Sequence, residues 1–533
     1  MNETISNAIA ETWTVRKPVV ECRGGVVATQ HHFASEVGAD VLRNGGNAVD
    51  AAVAAGFAIG TVEPWMSGLG GGGYMLVYTA AEDRCDVVDF GMRAPRALDP
   101  GDYPLVDGVD SDLFGWPAVA EERNVTGPYA FAVPGFVAGM ALALERFGRW
   151  PLAEALSPAI RSARQGFAVD WYATLKIASA APALAAFSES ARTYLPGGFV
   201  PAGEWGGLPP RIRLGRLAGT FERLAEAGAG DFYRGELAQA LEADMRDTGG
   251  KISAADLAGY QPRIVPAPIR DYRGARVFAA PDLTAGPSLH RALELQALRP
   301  RGSAGKPDAS AYAGYVESLK TAYEERLAVM GDTAPQETCT THLSVADREG
   351  NLVALTQTLL SVFGSKVMLP RTGLLMNNGI MWFDPRPGRP NSMAPGKQPL
   401  ANMCPTVVDR GDGVKFALGA SGGRRIMPAV FQLISFLVDY RMGLEEAIHQ
   451  GRVDASGGEP VIVDASLDQA TRKALAETNP TFVTPNGVYP ALFACPNVVL
   501  RDENRKVNAG AAFVMSPWAK ASCEGGAAQA TGG

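Results

Sequence analysis

The sequence predicts an α+β chain in which helices dominate the first part and strands the last. Three observations predict it. Apolar residues recur at helical spacing over 33–62 and again over 309–330. From Thr341 the pattern changes to short alternating runs separated by turn signals, as strands require. The chain is 533 residues long and 47% hydrophobic, enough to bury a sizeable core as one large layered body or several units.

In chain order, the first element pair is Phe33–Val62. FASEVGADVLRNGG ends on Gly45-Gly46, a helix stop. Asn47 is placed to cap the second helix, which is Ala-rich and apolar on most sides and is expected to be buried. Ser67-Gly-Leu-Gly-Gly-Gly-Gly73 follows, then strands at Tyr74–Thr79 and Val87–Phe90. Gly68, Gly70 and Gly73 satisfy G-x-G-x-x-G, with Asp89 about 20 residues on. A dinucleotide site needs a strand before the motif and a helix after it, and here the order is reversed. Consecutive glycines instead mark backbone passing close to a strand or an active-site wall. Helical and irregular segments fill 130–330, with Gly/Pro-rich loops near 195–210 and 300–307. A helix is expected over roughly 427–450, with strands returning to about 515. The tail CEGGAAQATGG, from Cys523, is expected to be disordered.

Lys and Arg number 49 and Asp and Glu 56, a net charge of −7, which argues against nucleic acid or an anionic membrane as partner. Apolar runs are interrupted before they reach a bilayer span. The opening MNETISNAIAETWTVRKP has no basic start followed by an apolar block, so the expected compartment is the cytoplasm. Cys22, Cys85, Cys339, Cys404, Cys495 and Cys523 form no CxxC and are expected as free thiols. The five histidines form no HExxH, and no metal or organic cofactor is expected.

Two segments carry chemistry. Cys339–Thr358 predicts a hairpin with strands at 340–347 and 351–359. A turn centred on Glu349 sets Thr340 opposite Thr358, and Thr356 shares a face with Thr358. Three hydroxyls then collect at one sheet edge, and a one-residue slip would scatter them. A Thr hydroxyl needs a base, and none is evident nearby. One solution is to cut the chain before Thr, so that its own α-amine serves. The alternative is a plain strand, where threonines are common. Leu418–Arg425 predicts a strand, a Gly turn and a helix start, where the N–H groups at Gly422 and Gly423 suit an oxyanion; a simple tight turn is the other reading.

Taken together, these pieces resemble the γ-glutamyltransferase family of N-terminal-nucleophile hydrolases. The resemblance spans nearly the whole chain. It runs through Ala34-Ser-Glu, Arg43–Ala52, Val62-Glu-Pro, Ser67–Gly73, Thr340-Thr-His, Leu355-Thr-Gln-Thr358 and Phe363-Gly. It continues through Leu375-Met-Asn-Asn378, Pro399-Leu, Met403–Thr406 and Gly422-Gly423. It implies a four-layer αββα sandwich, two antiparallel sheets between helical layers. It also implies self-cleavage between Cys339 and Thr340 into a large subunit, 1–339, and a small one, 340–533. These stay together as a heterodimer, with a dimer of heterodimers open. Thr340 is then the nucleophile, Thr358 orients it, Thr356 supports it, and Gly422 and Gly423 form the oxyanion hole.

The sequence departs from the family where a γ-glutamyl substrate would be held. The position of the carboxylate-binding Arg is Gly91, with Arg93 two places later. Gly379 and Trp382 follow the Asn-Asn pair in place of acidic and amide residues. Leu360 replaces an Asn, and Ala401-Asn402 a Ser-Ser pair. Arg93, Trp382 and Asn402 are therefore the substrate-binding candidates, for a small anionic amide without an ammonium. Relatives of this profile include oxamate amidohydrolase and acylases of side-chain amides; Phe90–Pro95 and Gly115-Trp-Pro117 resemble the oxamate branch. A γ-glutamyltransferase or glutathione hydrolase with a rebuilt pocket, and a non-catalytic scaffold, are the alternatives. Arg93 and Trp382 also read as structural residues, His342 as strand packing, and Arg424 and Arg425 as a solvated helix start.

Overall fold

The computed structural model describes residues 15–109, 116–301, 305–330, 339–457, 459–488, 491–513 and 516–525. Two seven-stranded antiparallel sheets form its centre. One runs, in spatial order, Val20–Cys22, Val507–Ala512, Cys495–Asp502, Val414–Ser421, Thr406–Asp409, Ala275–Ala279 and Ile269–Tyr272. The other runs Lys520–Cys523, Val26–Thr29, Cys339–Ala346, Leu352–Leu360, Gly72–Thr79, Arg84–Phe90 and Arg263–Pro266. Each sheet takes strands from both sides of residue 340.

Three apolar cores give the layers. One lies between the second sheet and the helices His32–Arg43, Ala48–Val62, Phe136–Phe147 and Leu152–Gln165, joining Val27, Leu343 and Leu355 to Val53, Phe57 and Phe136. A second packs Val408, Phe416 and Leu418 of the first sheet on Ala309–Met330 and Ile426–Val438. The third lies between the sheets, joining Leu76, Ala354 and Leu360 to Val407, Ala417 and Val499. Helix, sheet, sheet and helix are therefore stacked as expected. Alternation explains it: even-numbered hairpin residues enter the inter-sheet core and odd-numbered ones face the helices.

The first helix pair forms at His32–Arg43 and Ala48–Val62, and Asn47 caps the second through Val49 N and Asp50 N in a reciprocal capping box. The glycine cluster is tight for the expected reason. A Cβ on Gly71 would overlap Thr358 O, and one on Gly73 would overlap Thr356 O.

Several expectations are corrected. The helix over 427–450 is two, Ile426–Val438 and Leu444–His449, broken where Arg441 takes φ +49°. Cys22 and Cys523 are not free thiols: they form a disulfide with Cα atoms 6.3 Å apart. Cys523 ends a sheet strand, so the tail is ordered at its start; 526–533 lie outside the described residues, as do 514–515 and Gly115. Arg424 and Arg425 are not a solvated helix start. Arg424 is buried and its carbonyl accepts from Tyr323 OH, while Arg425 donates to Ala491 O at 3.1 Å. Among the described residues no helix is long and apolar enough to cross a membrane.

Candidate active site

The hairpin strands are Cys339–Ala346 and Leu352–Leu360. Asp347 shapes the turn, its Oδ1 accepting from Glu349 N at 2.9 Å and Asn351 N at 3.0 Å. The register is the expected one from Thr341↔Gln357 to Ala346↔Leu352. It slips at the far end, where Cys339 pairs with Leu360. The extra residue lies on the second strand, where Thr358 and Leu359 together face Thr340, a bulge of the kind that re-aims a side chain next to a site. Its hydroxyl lies 3.4 Å from that of Thr358, long for such a pair. Thr358 Oγ1 in turn accepts from Leu360 N at 2.8 Å, and Leu360 holds φ +90°. Thr340 is buried. Among the described residues no histidine or carboxylate hydrogen-bonds to it.

His342 is two residues along, on the same inter-sheet face. Its Nδ1 meets Thr356 Oγ1 at 2.8 Å and its Nε2 meets Ser344 Oγ at 3.0 Å. Burial drives its pKa down to about 3, so the ring is neutral and each nitrogen has a hydroxyl partner. Thr356 is thus engaged by His342, while Thr340 and Thr358 pair with each other. The ring lies against Gly419 of the opposite sheet, where a Cβ would overlap it.

Gly419 leads to the second segment. Val414–Ser421 runs into Gly422 at φ +128° and Gly423 at φ +59°, then the short turn Gly423–Arg425 and the helix Ile426–Val438. These left-handed conformations favour glycine. A Cβ at Gly422 would also stand 2.9 Å from Ala494 Cα.

The substrate candidates come from three directions. Thr358 pairs with Gly72 and Gly73 with Phe90, which leads to Arg93. Arg93 is half-buried and bridges Val133 through its main chain; its guanidinium acts on Tyr260 through charge but makes no hydrogen bond or ion pair among the described residues. Gly91 is closed to any larger side chain: a Cβ would overlap Gln398 Nε2 and lie 2.8 Å from Tyr74 OH. Gln398 also reaches Asp89 at 3.2 Å, and Arg263 holds the other oxygen of Asp89 at 2.8 Å. Asn378 N donates to Leu359 O at 3.2 Å, which starts the turn Gly379–Trp382 beside the hairpin end. Trp382 is 3% exposed and its indole N–H has no acceptor. Asn391 clamps Trp382 O at 2.7 Å and Leu400 N at 3.1 Å, joining that turn to the segment holding Asn402. Asn402 is 4% exposed and its Nδ2 is unpartnered. Its segment enters the strand in which Thr406 pairs with Leu418, so the register carries Asn402 toward the glycine turn.

Sequence reasoning missed Gln398 and Tyr74, which fill the space at Gly91, and Gln30. The signal for Gln30 was a lone amide ending the apolar strand VVATQ. Among the described residues no cluster of three His, Cys, Asp or Glu is placed to hold a metal.

A hydroxyl-bearing strand end between two antiparallel sheets, faced by a glycine turn at a helix start, defines an amide-hydrolysing enzyme of the N-terminal-nucleophile class. Comparison with known proteins agrees. The gamma-glutamyltranspeptidase family model matches residues 34–338 and 333–512, and the chain belongs to that family. It is 35% identical over 510 residues to the acylase ACY 1 proenzyme of Pseudomonas sp. (strain SE83), covering 88% of both chains. It is 29% identical over 489 residues to the glutathione hydrolase proenzyme of Bacillus subtilis (strain 168), covering 81% of this chain and 80% of that one. In fold it matches a cephalosporin acylase from Bacillus halodurans with a TM-score of 0.83, at 24% identity, over 96% of this chain and 98% of that one.

Proposed function

We propose that the chain cuts itself before Thr340 and then hydrolyses a small anionic amide, such as oxamate, through an acyl-enzyme on Thr340. In the first step the Thr340 hydroxyl attacks the Cys339 carbonyl, the peptide C–N bond breaks, and water hydrolyses the resulting ester. This frees the α-amine as the missing base. In turnover the amine takes the hydroxyl proton as Thr340 Oγ1 bonds to the substrate carbonyl. The N–H groups of Gly422 and Gly423 hold the oxyanion. The substrate C–N bond then breaks, and the amine returns the proton to the leaving nitrogen. Water, or an acceptor amine, releases the acyl group. Residues 1–339 and 340–533 remain together as a heterodimer.

One observation carries the substrate class. Arg93, the Trp382 indole N–H and Asn402 Nδ2 are cation and donors without acceptors, while Asp89, a carboxylate that an ammonium would seek, is taken by Arg263 and Gln398. Unpaired buried donors favour an acceptor-rich acyl group. Support for a wider acylase reading comes from the acylase relative at 35% identity and from the buried apolar cluster that holds Leu360, Met381 and Met393 together with Trp382. The test is turnover of oxamate, an aliphatic side-chain amide and a γ-glutamyl anilide by the purified protein. Oxamate turnover supports the first reading and side-chain amide turnover the second. Preferred turnover of the anilide overturns both in favour of a glutathione hydrolase with a rebuilt pocket.

A further inference from the structure

The strand Val26–Thr29 pairs with Cys339–Ala346 from Ala346↔Val26 to Leu343↔Thr29, and there the ladder stops. The next residue, Gln30, turns away toward the helix His32–Arg43. Its side chain continues the ladder in place of its main chain. Gln30 Oε1 accepts from His342 N at 3.2 Å. Its Nε2 crosses to the other sheet and donates to Ser421 Oγ. Ser421 is the last strand residue before Gly422. Gln30 is 2% exposed, and its carbonyl is held by Ser516 Oγ at 2.8 Å. One buried amide therefore spans the gap between the strand that bears Thr340 and the turn that bears Gly422 and Gly423.

We infer that Gln30 is a positioning residue: its amide fixes the spacing between the Thr340 hydroxyl and the Gly422–Gly423 turn. The inference rests on the proposed role of Thr340. A misplacement of about 1 Å at a reacting centre costs on the order of 100-fold in rate, so the effect belongs in kcat and not in KM. The test compares wild type with Gln30→Met, Ser421→Ala and the double variant. Each is purified in cleaved form, checked by thermal melt, and assayed on whichever of the three amides the wild type turns over. The expected result is a kcat loss of about 10- to 100-fold in both single variants with KM nearly unchanged. The double variant should be no worse than Gln30→Met alone, because both remove one link. Folded, cleaved Gln30→Met with wild-type kcat overturns the inference, and so do losses that multiply in the double variant. A wild type that is uncut and inactive sinks the proposed function first.

A different observation carries a second inference. Cys22 ends an edge strand of the first sheet and Cys523 an edge strand of the second, 501 residues apart in sequence. The geometry points to a cystine that rejoins 1–339 to 340–533 after the cut. It forms by exchange with a small-molecule disulfide such as oxidised glutathione: two thiols become one cystine, and the oxidant leaves as two thiols. Protein equilibrated with oxidised glutathione, thiol-blocked and run without reductant should give one band of full-chain size. With reductant it should give two, and Cys22→Ser should give two in both lanes. Two bands without reductant in the wild type overturn the inference. If the chain is uncut, the mass of the linked Cys22–Cys523 peptide after proteolysis decides it.

Discussion

Among the described residues Thr340 has a hydroxyl neighbour but no side-chain base, and the proposed mechanism gives activation to its own nitrogen. Thr340→Ala should give one uncut, inactive chain; two bands on a reducing, denaturing gel would refute the assignment. Thr358→Ala should still be cut and should lose about 10-fold in kcat, the worth of one hydrogen bond of roughly 1–1.5 kcal/mol. In the wild type, kcat/KM should rise with pH until the amine is neutral, near the ordinary α-amino value of about 8. His342 makes a separate prediction. Its pKa falls from the ordinary 6.5 to about 3 on folding, so the unfolded chain binds more protons between those values. Stability contributed here is present above pH 6.5 and lost as pH falls toward 3, by roughly 1.4 kcal/mol per unit at most. Thermal melts of His342→Gln should depend less steeply on pH across that window than those of wild type. Equal slopes would show that the ring is not buried neutral.

At the scale of elements, the hairpin and the glycine cluster are one device. Gly73→Ala drives a methyl into Thr356 O and should cost about 1–3 kcal/mol, whereas Gly68 has nothing within 4 Å of a Cβ and its Ala variant should melt near wild type. Equal melting of the two would contradict the close approach. Much of this was legible. The hairpin register follows from side-chain alternation about a turn at Glu349, and it holds from Thr341 onward. The helix pair follows from its spacing, its Gly45-Gly46 stop and its Asn47 cap. What was not legible is set by tertiary partners. The bulge at Thr358–Leu359, opposite Thr340, depends on how the strand end meets its neighbours. The break after Val438 falls inside a pattern that continues to look helical. That glycine stands at position 91 shows in the sequence, but the filling of the space beside it by Gln398 and Tyr74 does not. Nor does pattern join Cys22 to Cys523, because spacing carries no information across most of the chain.

For the molecule as a whole, the two sheets decide what a cut can do. Both interleave strands from either side of residue 340, and the inter-sheet core joins Tyr74 and Val87 to Ala354 and Val407. Separating the halves would expose that entire core, so segments 1–339 and 340–533 should co-elute in gel filtration, with the cystine reduced, until denaturant is added. Early separation would show that the interleaving does not hold them. The central claim is that a freed α-nitrogen on Thr340 activates its own hydroxyl. Intact-mass and N-terminal analysis of purified, active, reduced protein tests it most directly. The account predicts two chains, the smaller beginning at Thr340, with acyl mass trapped on it by rapid quenching; full amidase activity from an unbroken chain would contradict it.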